Sequence, residues 1–68
     1  MKTLLVNQYG QCKTLYITDR PMPRVGEHIG VFYKPYPVVT SILHILDPAD
    51  VDFPGADIKG IDAIITVE

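Results

Sequence analysis

Apolar residues recur at every second position along much of this chain, and prolines cut the alternation into short runs. A period of two marks a half-buried strand, whereas an amphipathic helix repeats every ~3.6 residues. Residues 3–8 form a first predicted strand with Leu4 and Val6 on one side. Tyr9-Gly10-Gln11 is a turn, where Gly10 takes a positive φ without steric cost. Residues 12–18 return as a second strand, Leu15 and Ile17 on one face and Thr14, Tyr16 and Thr18 on the other. The two read as a hairpin. Arg20-Pro21-Met22-Pro23-Arg24-Val25-Gly26 is neither helix nor inner strand, since each proline lacks a donor and holds the residue before it extended.

Alternation resumes over residues 27–34, with Ile29, Val31 and Tyr33 on one face and Gly30 at a bulge or tight bend. Pro35-Tyr36-Pro37 stops it again. Residues 38–46 are the longest apolar stretch; their β-branched content favours a strand, and apolar residues on both sides predict a central or strongly bent one. The phase slips at Ser41, a natural place for a bulge. Residues 47–60 read as an acidic loop anchored by Phe53 and Ile58, with one short helical turn near 48–53 opened by Asp47-Pro48. The last strand is 61–68, with Ile61, Ala63, Ile65 and Val67 inward and Ile64 as the exception. The expected class is all-β: a small SH3-like five-stranded barrel or a curled antiparallel sheet, one domain over residues 1–68. An OB-like arrangement comes second.

Sixty-eight residues leave no room for a second core. A chain of this size buries only about 60% of the surface its unfolded form exposes. Cys12 is the single cysteine, so an internal disulfide is impossible; it is expected to be a small apolar filler in a reducing, cytoplasmic setting. A homodimer is one way to gain burial without a staple. The N-terminal apolar run is too short for a signal peptide, and nothing approaches the ~20 apolar residues of a membrane span. Residues 1–46 hold five basic against two acidic side chains, and residues 47–68 hold one against six. The acidic balance makes a general nucleic-acid binder an unexpected reading.

No motif for catalysis or a cofactor emerges. Asp50-Val51-Asp52-Phe53-Pro54-Gly55 echoes a calcium loop, but proline stands at the fifth position and Ile61 at the twelfth, both of which need oxygen ligands. His28, His44 and Cys12 lack zinc-ligand spacing. Ser41 and His44, three apart on a strand, point to opposite faces and make no nucleophile–base pair. No metal, cofactor or enzymatic activity is expected. The surface that stands out is Val31-Phe32-Tyr33-Lys34-Pro35-Tyr36-Pro37. With Tyr33 inward, Phe32 faces out beside Lys34, and Tyr36 stands at the following turn. Exposed aromatics in a rigid proline-bounded loop suit protein contacts. The other reading places Phe32 in a second small core under the acidic loop.

The segment Pro23-Arg24-Val25-Gly26-Glu27-His28-Ile29, followed by residues 36–44, resembles a pattern in short bacteriophage and prophage proteins of unknown function. There, approximately Leu-Pro-x-Val-Gly-Glu enters a strand that is followed by a turn and Tyr-x-Val-x-x-Val. Met22 stands here where leucine is usual. The resemblance implies a small phage-type accessory protein with an SH3-like barrel, working in the cytoplasm of a bacterial host, and it transfers no functional residues. The function expected is a non-enzymatic protein-interaction module that binds and modulates or inhibits a host protein, such as a polymerase, nuclease or defence enzyme. Its expected contacts are Phe32, Tyr33, Tyr36, Asp50, Asp52 and Asp57. Two alternatives stay open: a nucleic-acid-binding small barrel using Lys13, Arg20, Arg24 and Lys34, and a minor structural subunit of a virion or oligomer.

Overall fold

The fold is given by a computed structural model that describes residues 1–54 and 57–68. Among the described residues four strands form: β1 (Lys2–Asn7), β2 (Cys12–Tyr16), β3 (Val39–His44) and β4 (Ala63–Val67), with one 3-10 turn at Pro48–Asp50 between the last two. They lie in the order β2-β1-β4-β3. The hairpin β1–β2 is antiparallel, β1 and β4 run parallel, and β4–β3 is antiparallel. The sheet is open and mixed. This corrects the expected five-stranded SH3-like barrel and the curled antiparallel sheet, while the mainly-β class holds.

The register sorts the side chains onto two faces. Thr3, Leu5 and Asn7 of β1 share what we term the front face with Lys13 and Leu15 of β2, Ala63, Ile65 and Val67 of β4, and Val39 and Ile42 of β3. Leu4, Val6, Ile64, Thr66 and Leu43 share the back. Each face has its own core. On the front, Leu5, Ile17, Val39, Ile65 and Val67 are buried beneath Met22, Ile29, Val31 and Phe32 of the proline-rich connection between β2 and β3. On the back, Leu4, Ile45, Ile61 and Ile64 are buried beneath Val51, Phe53 and Ile58 of the acidic connection between β3 and β4. Two loops thus do the work that helices do in most open sheets, each burying one face.

Several local expectations are met. The hairpin closes through Gly10, with φ of 78°. Its amide donates to the Asn7 carbonyl while the Asn7 amide donates to that of Gln11, the pattern of a three-residue loop with glycine in the left-handed region. Asp47 caps the 3-10 turn by accepting from the Ala49 amide, Phe53 and Ile58 reach the core, and the β3–β4 register shifts between Val39 and Ser41.

Others are corrected. Residues 27–34 are not a strand; only His28 makes a bridge, to Val38. The Val31 amide donates to the Ile29 carbonyl and the Tyr33 amide to the Val31 carbonyl, so the chain coils through successive two-residue turns. Phe32 has φ of 64°, and this coiling lets Ile29, Val31 and Phe32 all reach the front core. Phe32 therefore packs inward, but against the front core and not beneath the acidic loop. β3 lies at the sheet edge, not the centre. Ile61 joins the back core with Ile64, not the set of Ile65 and Val67. Cys12, expected as an apolar filler, is exposed.

Candidate interaction surfaces

The proline-rich connection crosses the front face and leaves two hollows along β2. The larger, of about 450 Å³, has an apolar floor of Leu15, Ile17, Met22 and Ile29. Its rim carries Arg20 and Arg24, with His28 and Glu27 alongside. That volume falls in the range typical of sites that take a small ligand or an anchoring side chain. The rim is set by a four-residue turn: the Glu27 amide donates to the Arg24 carbonyl, and Gly26 takes φ of 95° between them. The Arg24 amide donates to the Glu27 carboxylate. The turn is tied to the sheet by paired bonds between Gly26, Glu27 and Val39.

The smaller hollow, of about 280 Å³, lies further along the same strand and is lined by Lys13, Phe32, Tyr33, Lys34 and Tyr36. Tyr36 lies along the backbone of Gly30, where a Cβ would meet its ring at 3.8 Å. The Lys34 ammonium stands 5.8 Å from the Tyr36 ring centroid. Tyr33 is half-buried; its hydroxyl donates to Gln8 over 3.3 Å and its ring meets Tyr9 edge-on at 5.9 Å. Lys13, Leu15 and Ile17 face the front in sequence, so the two hollows lie in a row along β2, which we term the trough.

Of the expected contact residues, Phe32, Tyr33 and Tyr36 share the smaller hollow with Lys13 and Lys34, while Arg20 and Arg24 line the larger one beside it along β2. The aspartates lie elsewhere. Asp50, Asp52 and Asp57 are exposed on the connection that covers the back face. The Asp57 carboxylate accepts from the Lys59 amide, as that of Asp47 does from Ala49. Four cations and three aromatics, Lys13, Arg20, Arg24, Lys34, Phe32, Tyr33 and Tyr36, line the front hollows, and Asp50, Asp52 and Asp57 stand on the connection behind, while Lys2 and Tyr16 also face the back. The aromatic and the acidic candidates thus stand on connections that cover opposite faces of the sheet.

Leu46 follows the last buried residue of the β3 segment and is 96% exposed, the most exposed of the large apolar side chains. The sequence signal for it was slight: a leucine ending an apolar run directly before Asp-Pro. Cys12 and His44 lie on opposite edge strands and His28 in the proline-rich connection. Among the described residues no group of three or more His, Cys, Asp or Glu side chains is placed to hold a metal ion. Gly55, the sixth position of the calcium-loop reading, lies outside the described residues. No helix of the described residues is long and apolar enough to cross a membrane. Set against known proteins, the chain matches no family model, no curated protein and no solved structure.

Proposed function

We propose that this protein is a non-enzymatic interaction module that captures an acidic partner protein in the trough along β2. The observation that carries the reading is the trough itself, an apolar floor rimmed by Arg20 and Arg24 and continued by Lys13, Lys34 and Tyr36. An apolar anchor with flanking carboxylates complements such a surface: desolvation of the anchor supplies affinity, and the charges speed encounter and fix orientation. In keeping with the sequence resemblance, the partner belongs to a bacterial host, and the protein is a phage accessory factor that modulates it in the cytoplasm. Capture from a bacterial lysate tests this. The wild type recovers one dominant partner, R20E/R24E loses it, and D50N/D52N/D57N on the other face retains it. Equal recovery by wild type and R20E/R24E would overturn the assignment of the trough.

A second reading is favoured by the same juxtaposition. Cations and aromatics on one face suit single-stranded nucleic acid, with phosphates on Lys13, Arg20, Arg24 and Lys34 and a base stacked on Tyr36. It requires a gel shift with single-stranded DNA at low salt that K13E/K34E abolishes; absence of any shift ends it.

A further inference from the structure

The acidic, apolar-anchored segment that the trough calls for is present on the chain itself. Leu46 projects into solvent and is followed by Asp47 and, after the proline, by Asp50, both exposed. The larger hollow offers an apolar floor of matching character and two guanidinium groups at its rim. The two surfaces cannot meet within one molecule. The floor residues are Leu15 on β2 and Ile17 directly after it, whereas Leu46 leaves the β3 edge, three strand spacings or ~14 Å away. Ile45, directly before Leu46, is buried in the back core, and its amide donates to Asp62, which holds the segment away from the front.

We propose that the larger hollow of one copy receives Leu46 of a second copy, with Asp47 and Asp50 of the incoming segment against Arg20 and Arg24. Donor and acceptor are different surfaces, so the contact is head-to-tail: each copy offers one knob and one hollow, and association propagates beyond a pair unless it closes into a ring. The inference rests on the trough being a docking surface, and it names a second copy of the chain as an occupant. The same pairing of charges makes the association weaken with added salt.

The test uses the full chain and two surface variants, neither of which touches a buried residue. Sedimentation from about 10 μM to about 1 mM spans the affinities expected of a small contact of this kind. The wild type shows its weight-average mass rising about twofold or more, and less so at high salt. L46D, lacking the knob, and R20E/R24E, lacking the hollow, each remain monomeric. Mixed, they retain one intact knob and one intact hollow, and they form a dimer that grows no further. A wild type that stays monomeric throughout, or a mixture that does, overturns the proposal. So does association of either variant alone to the wild-type extent. Failure here with R20E/R24E still losing its lysate partner removes the self-contact and leaves the trough; failure of the lysate capture alone removes the outside partner and leaves the self-contact.

Discussion

Asn7 shows how much one polar side chain organises in a domain this small. It is buried at the end of β1, its Oδ1 accepts from the amides of Tyr9 and Gln11, and its Nδ2 donates to the Gln11 side chain at 2.7 Å. Three bonds thus close the hairpin loop around one residue. Asn7→Ala leaves those amides to find water beside a buried position, and stability falls by about 2 kcal/mol in urea unfolding. Asn7→Asp keeps the two bonds accepted from the loop amides, which also satisfy the charge it buries, so its loss is the smaller. Equal losses would mean that burial of the charge cancels the bonds retained. The turn was legible in the sequence because Gly10 marks it; the role of Asn7 was not, since a polar residue ending a strand pattern carries no sign of burial.

At the scale of elements, β1 and β4 are the inner strands and are buried on both faces. In hydrogen exchange the amides of Leu5, Ile64 and Ile65 are therefore the slowest. On β2 the bonds of Asn7 to Gln11 and of Ile17 to Met1 fix which amides face β1. By alternation those of Thr14 and Tyr16 point to the open edge. They exchange at least about 100-fold faster, given a global stability of only a few kcal/mol. Comparable protection on β2 would show that this edge is covered, as a closed barrel or a second copy paired along it would require.

The strands themselves were largely visible in the sequence; their arrangement was not. Leu4-Leu5-Val6 and Ala63-Ile64-Ile65 are unbroken apolar runs, the pattern of strands buried on both sides. Ile64 read as an exception to alternation was in fact the sign that β4 is central. Residues 38–46 carried a similar mixture and yet form the edge, because Leu43 and Leu46 remain in solvent. Hydropathy alone does not separate an apolar residue that is buried on a second face from one left exposed. Residues 27–34 alternate like a strand, but a period of two is also met by a chain that coils so that each apolar residue drops onto the same core. The aromatic and cationic residues of the trough were each legible as candidates; their meeting on one face depends on which way that coil turns.

For the whole molecule, the two surfaces follow from the insertion of β4 between β1 and β3. That placement sends the proline-rich connection over one face and the acidic connection over the other, and so separates Lys13, Arg20, Arg24 and Lys34 from the aspartates of residues 47–57. An antiparallel barrel of the same segments would mix them. The direction of the β1–β4 pair is the discriminating quantity, and backbone nuclear Overhauser contacts in the labelled protein read it directly. The parallel pair gives contacts that advance together along both strands, Thr3 beside Ala63, Leu5 beside Ile65 and Asn7 beside Val67. Contacts that run in opposite directions, with Thr3 beside Val67 and Asn7 beside Ala63, would contradict it.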